Sequence, residues 1–215
     1  MLEYKNLSLA EQVFDRLETE ILSGKYQPGD YLTEMKLVSD LGVSRTPIRE
    51  ALRRLEQEHI IEITQKGILV IGVTHKDLED ILEIRIRIEG LAAAEAARNI
   101  TEEQIKELEE ALELQEFYVP KRDADRIKDM DSRFHLLIYR FSGSVMLCDT
   151  LLPLHKKMQK YRRASVENEI RSANSAQEHR AIFEAIASHN APLAEQYMRD
   201  HIANAKAFIQ KREGK

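Results

Sequence analysis

One β-hairpin signal set inside an otherwise helical chain restricts the fold more than any other feature. Ile60-Ile61-Glu62-Ile63 and Ile68-Leu69-Val70-Ile71 are β-branched runs that flank Thr64-Gln65-Lys66-Gly67. No other segment reads convincingly as strand, so the hairpin must be attached to helices. Three short ones are predicted before it. Ser8 with Glu11 forms a capping box, and Leu9, Val13, Phe14, Leu17 and Ile21 make the apolar stripe of the first helix. Gly24 and Pro28-Gly29-Asp30 end it in a turn. Thr33 caps a second helix that buries Leu37, Val38 and Leu41 and stops at Gly42. Ser44 caps a third, with Pro47 tolerated in its first turn.

After residue 73 the periodicity is helical to the end. Thr74-x-x-Asp77, Thr101-x-x-Gln104 and Ser175-x-x-Glu178 read as helix starts. Six helices are predicted, over 75–98, 102–117, 122–141, 145–164, 175–189 and 191–211. The fold class is therefore mainly α. A winged helix-turn-helix is expected over 1–73 and an all-α helical bundle over 74–215.

Composition limits the function classes. No apolar run is long enough to span a bilayer, so no membrane partner is expected. The opening Met1-Leu2-Glu3-Tyr4-Lys5 lacks the pattern of a secretion signal. Cys148 is the single cysteine, which excludes an intrachain disulfide and fits a cytoplasmic location; it reads as a small core residue. Net charge is −5 and does not advertise a polyanion partner. Residues 1–73 carry nine Lys/Arg against twelve Asp/Glu, a balance of −3. A DNA-binding claim must then rest on placement. Residues 36–54 hold Lys36, Arg45, Arg49, Arg53 and Arg54 against Asp40 and Glu50, a local +3.

On the third predicted helix, Ile48, Ala51, Leu52 and Leu55 share one arc, and Arg45, Thr46, Arg49, Glu50, Arg53 and Arg54 share the other. Arg45, Arg49 and Arg53 stand i, i+4, i+8, a ridge about 12 Å long. Such a ridge fits the major groove, where arginine can hold a guanine edge with two hydrogen bonds. Lys66 would sit at the hairpin tip against the DNA backbone. A solvated charged face has the same residues, but the order helix, helix, Arg-rich helix, hairpin favours the groove reader.

The helical half carries polar residues on apolar faces. Asp131 and His135, four apart, border Ile127, Phe134 and Ile138. His179 lies among Ile182, Phe183 and Ile186, and His201 among Ala194, Tyr197, Ala205 and Phe208. Each alone reads as a satisfied core histidine. Together, three imidazoles and a carboxylate suit a divalent transition metal: Zn, Ni, Mn, Fe or Co. His59, His75, His155 and His189 fall outside this set, most of them as surface or helix-end residues. Arg85 sits within the stripe Leu78, Ile81, Ile88, Ala92 and needs an anion, either Glu89 one turn on or a ligand carboxylate. Arg162 is a second effector-binding candidate, near the Leu151/Met158 stripe.

Leu41-Gly42-Val43-Ser44-Arg45-Thr46-Pro47-Ile48-Arg49-Glu50-Ala51-Leu52-Arg53-Arg54-Leu55 resembles the signature of the GntR family of bacterial regulators. The resemblance runs from near Val13 to Val70. It implies that Arg45, Thr46 and Arg49 contact double-stranded operator DNA and that Gly67 enters the minor groove. Met35, His59 and Lys66 depart from residues frequent in that family. Glu83-Ile84-Arg85-Ile86-Arg87-Ile88-Glu89, Asp131-x-x-Phe134-His135, Glu178-His179-Arg180 and Met198-x-x-His201 resemble the FCD ligand-binding domain of the FadR subfamily, over about 75–205. That resemblance implies a six- or seven-helix bundle, a metal bound by Asp131, His135, His179 and His201, a small organic acid effector beside it, and a homodimer. Six predicted helices point to the shorter, VanR-like version. The expected function is transcription regulation, most simply repression. Two alternatives stand: a metal-dependent hydrolase or lyase fused to a DNA-binding module, and a regulator that senses the metal itself. No further carboxylate or histidine is placed as a general base, so no enzyme is expected.

Overall fold

The computed structural model describes residues 7–213; the opening pentapeptide read for a secretion signal lies outside them. The chain divides into two compact units, Met1–His75 and Lys76–Lys215.

The first unit runs α1 (Leu9–Leu22), β1 (Tyr31–Leu32), α2 (Glu34–Leu41), α3 (Arg45–Gln57), β2 (Ile61–Thr64), β3 (Gly67–Val70). The Ser8–Glu11 capping box forms, and Thr33 Oγ1 accepts from Lys36 N at the start of α2. Ser44 stands at the N-cap of α3 in extended backbone but makes no side-chain bond to the helix, which corrects its expected capping role. The hairpin gains a partner the sequence did not announce. β1 pairs with β3, giving an antiparallel sheet in the order β1-β3-β2, with Leu32 opposite Ile68 and Ile61 opposite Val70. Two residues are too few to show a period of two; only the edge of β3 defines them as strand. Val13, Phe14, Leu17, Leu37, Ile48, Leu52, Leu55 and Ile68 fill the core beneath α3.

Gly67 is demanded by this sheet. Its φ is +131°, and a Cβ there would lie 2.9 Å from the Leu32 carbonyl oxygen. Gly67→Ala should therefore destabilise the first unit by about 1–3 kcal/mol. Denaturant unfolding of the full chain checks this, and a midpoint equal to wild type would contradict it.

The second unit comprises α4 (His75–Asn99), α5 (Glu102–Tyr118), a 3-10 turn at Val119–Lys121, α6 (Ala124–Phe141), α7 (Val145–Lys157), α8 (Gln159–Val166), α9 (Glu169–Ala187) and α10 (Ala191–Glu213). That is seven α-helices among the described residues, which corrects the six-helix, VanR-like count. The predicted helix 145–164 breaks at Met158, whose ψ of 2° cannot continue an α-helix. Met158 is buried there, and Arg162 folds back over the break to reach His155 Nδ1 at 3.0 Å. The predicted start at Ser175 is also corrected. Asn168 caps α9 through Arg171 N, seven residues earlier, and Ser175 and Glu178 are interior. A Ser-x-x-Glu spacing is equally an i, i+3 pair inside a helix. α5 packs on α6 and α9, and α9 on α10, which brings α6, α9 and α10 around one centre.

Candidate functional site

On α3, Ile48, Ala51, Leu52 and Leu55 are buried, whereas Arg45, Thr46, Arg49 and Arg53 are exposed. Arg49 Nε meets both carboxylate oxygens of Glu34 at 3.0 Å, so α2 steadies the middle of the ridge. Arg54 departs from the ridge: its guanidinium lies 3.9 Å from the centre of the Phe14 ring and packs on α1. Lys66 is exposed at the hairpin tip, and Gly67 is half-buried at the start of β3.

In the second unit, His135 of α6, His179 of α9 and His201 of α10 are buried, and one ring nitrogen of each lies within 4.8 Å of the others. The i, i+4 spacing puts Asp131 one turn before His135, with Oδ1 3.9 Å from His179 Nε2. Two of the imidazoles are hydrogen-bonded from behind, and the third faces a carboxylate. His179 Nδ1 is 2.7 Å from Gln115 Oε1, His201 Nδ1 is 2.6 Å from Glu178 Oε2, and His135 Nδ1 is 3.2 Å from Glu89 Oε2. Gln115 Oε1 and Glu178 Oε2 are acceptors, so the Nδ1 atoms of His179 and His201 are donors and each of those rings, when neutral, keeps its lone pair on Nε2, whereas His135 Nδ1 lies near Glu89 without a hydrogen bond. His179 Nε2 and His201 Nε2 then face each other at 3.2 Å. Two lone pairs repel at that distance unless a cation lies between them. The donor set fits a divalent transition metal, with Gln115 and Glu178 as the outer partners that orient two of its ligands.

Burial pushes the His179 imidazolium well below the usual histidine range, with His201 and His135 adding repulsion. Burial also lowers His201, partly offset by Glu178, and burial with Arg162 holds His155 well below the ordinary value. The sign of the pH effect follows. The unfolded chain takes up protons near pH 6.5 and the folded one resists, so stability is intact above about 6.5 and falls as pH drops below it. Chelator-treated protein should lose melting temperature between about pH 7 and 5, before ordinary carboxylates titrate. A flat melting temperature across that window would show these rings accept protons in the fold.

The anions are also matched. Arg85 Nε pairs with Glu89 Oε1, and both residues are buried. Glu89 Oε1 accepts from Tyr139 Oη at 2.7 Å. Burial raises the Glu89 carboxyl, but Arg85 and His135 outweigh it and hold the group well below the usual range. Arg162 Nε lies 2.9 Å from Asp131 Oδ2. A cavity of about 50 Å³ adjoins this network, lined by Arg85, Asp131, His135, Arg162 and His201 among others. The Glu89 partner of Arg85, left open by the sequence, is thus present, and Arg85 also borders the cavity.

A model of the gntR family of bacterial regulatory proteins matches residues 9–70, and a model of the FCD domain matches residues 80–204. The Bacillus subtilis transcriptional regulator YdhC is 31% identical over 192 residues, 88% of this chain and 86% of that protein. The chain belongs to the GntR family. It carries the family's helix-turn-helix followed by an FCD domain, and is a DNA-binding transcriptional regulator. The gluconate operon transcriptional repressor of Bacillus licheniformis is 32% identical over 167 residues, 72% of this chain and 69% of that protein. The solved structure of Escherichia coli McbR/YncC superimposes with a TM-score of 0.82 at 26% identity, covering 96% of this chain and 99% of that one. No helix among the described residues is long and apolar enough to cross a membrane.

Sequence reasoning missed several residues of the FCD site. His155 is buried, its ring centre 5.8 Å from that of His135, and does not belong with the surface histidines. His59 and His189, in contrast, take positive φ at helix ends. Gln115, Arg171 and Ser172 are buried cavity-lining residues outside every motif quoted above, and Ser175, read as a helix cap, lines the cavity as well. The early cap at Asn168 was the available signal: it places Arg171 and Ser172 on α9 instead of in a loop.

Proposed function

We propose that this GntR-family chain is a repressor that binds double-stranded operator DNA as a homodimer and is controlled by a small carboxylate bound beside a divalent metal. Asp131, His135, His179 and His201 are the ligands in this reading. The observation that carries it is the convergence of three buried imidazoles, two of which, His179 and His201, turn Nδ1 away to an acceptor and present Nε2 to each other. When bound, the metal supplies a Lewis-acidic position for an effector oxygen. The chain's own residues do the rest: Gln115 and Glu178 hold the His179 and His201 rings, Glu89 sets a negative charge beside His135, and Arg162 holds Asp131. Repression accords with the name of the Bacillus licheniformis relative. A homodimer accords with exposed Ile84 and Leu91 on α4 and Val145 and Met146 on α7, and with two half-sites read by two copies of α3.

Arg45, Thr46, Arg49, Arg53, Lys66 and Gly67 form the DNA-contacting set of this proposal. Arg45→Ala and Arg49→Ala should each weaken specific binding by about 1–3 kcal/mol with the fold intact, because neither packs in the core; Arg49→Ala also gives up the exposed Glu34 ion pair, which contributes at most about 1 kcal/mol of stability. Operator fragments selected from random DNA, titrated by fluorescence anisotropy, supply the measurement. The same assay run on metal-loaded protein with a panel of small organic acids tests control: an acid that releases DNA without being consumed supports the sensor. Release by metal alone would favour a metal sensor, and turnover of the acid an enzyme. Wild-type affinity in both arginine variants would remove α3 as the reading face.

A further inference from the structure

Arg171 and Ser172 are neighbours in the first turns of α9, and both line the cavity beside the histidines. Both side chains are more than nine-tenths buried, at 7% and 3% exposure. Arg171 Nε and Ser172 Oγ are nevertheless buried without a hydrogen bond. Gln115 Nε2 is a further unsatisfied donor in the same lining. Leaving such groups unpaired is costly, and a guanidinium nitrogen most of all. The other arginines of the cavity are anchored, Arg85 on Glu89 and Arg162 on Asp131 and His155.

Arg171 is tied to one of the proposed metal ligands, His201, through one atom. Glu178 Oε2 takes Arg171 Nη1 at 2.9 Å and His201 Nδ1 at 2.6 Å, and Glu178 Oε1 takes Asn204 Nδ2 at 2.9 Å. The Glu178 charge is therefore already matched, and the Nε edge of Arg171 remains for another anion. Arg171 also lines a wider concavity of about 690 Å³ with Asn168, Asn174 and Lys211, so it stands between that concavity and the inner cavity.

We infer that Arg171 and Ser172 form a second anion subsite, so that the cavity selects a short dicarboxylate over a monocarboxylate. The inference rests on the proposed metal-and-carboxylate reading, in which the first carboxylate lies at the metal edge. The second is received by Arg171 Nε and Ser172 Oγ, which gives α9 a contact that a monocarboxylate cannot make.

The test is calorimetric titration of the zinc-loaded full chain with acetate, malonate and succinate, using wild type, Ser172→Ala and Arg171→Lys. Lysine keeps a positive charge near Glu178 but has no Nε–H fork. Wild type should bind malonate or succinate about ten- to a hundredfold more tightly than acetate. Both variants should lose at least about tenfold of that preference, and in Ser172→Ala, which does not touch Glu178, acetate affinity and zinc content should stay within about twofold. Equal affinity for mono- and dicarboxylates in wild type, or equal losses for both in the variants, would overturn the subsite while leaving the metal reading intact. Succinate binding that persists after chelation and is lost in Ser172→Ala would keep the subsite and overturn the metal reading. No zinc uptake and no binding of any acid would overturn both.

Discussion

Arg85→Met is expected to destabilise the protein by about 3–5 kcal/mol. The substitution keeps most of the apolar stem and deletes the charge, leaving Glu89 buried at 0% exposure. Tyr139 and His135 would remain beside that carboxylate, but neither carries a fixed positive charge. The loss should be visible as a lower midpoint in denaturant, because breaking one half of a buried pair leaves the other uncompensated. The double variant Arg85→Met/Glu89→Met should recover much of the loss, since the desolvation cost of both charges disappears together. If Arg85→Met unfolds at the wild-type midpoint, Glu89 does not depend on Arg85, and the arginine is available as a ligand anchor. Because Glu89 Oε2 also faces His135 Nδ1, a destabilised Arg85 variant should bind metal more weakly as well.

Removal of metal should produce the second large effect. Asp131, His135, His179 and His201 come from α6, α9 and α10, so a metal among them would cross-link three helices. Binding to the folded state alone stabilises by mass action, about 4 kcal/mol at a thousandfold excess over Kd. Wild type is expected to carry about one metal per chain, to melt lower after chelation, and to recover on metal readdition. His179→Ala should hold little metal and respond little to chelator. It also vacates a ring stacked 4.4 Å from Phe134, so its own baseline stability must be measured without metal before the comparison. A wild-type protein that contains no metal, takes none up and melts identically with chelator would end the sensing proposal; the GntR-family assignment would stand on its separate evidence.

The α3 ridge was legible from spacing alone. A 3.6-residue period sends Ile48, Leu52 and Leu55 inward and Arg45, Arg49 and Arg53 outward whatever the rest of the chain does. Capping at Ser8, Thr33 and Thr101 was equally local, since a side chain and an amide three residues on suffice. The same local logic failed where distant groups compete. Met158 breaks a continuous helical pattern while Arg162 reaches back to His155, and Ser175 imitates a cap inside α9. β1 exists because β3 offers it an edge.

For the buried site, residue order alone exposed which residue types were unusual: an acid, imidazoles and an arginine on apolar stripes. Helical periodicity is enough to expose that misfit, because it fixes which side of a helix each residue occupies. It could not determine partners. Arg85 and Glu89 share one face of α4, but whether Tyr139 joins that pair, whether Gln115 and Glu178 turn the rings, and whether His155 joins the network depend on separate helices coming within about 3 Å. Hydrogen bonds and ion pairs are decided at that range, so the tertiary packing of α4, α5, α6, α9 and α10 alone selected them.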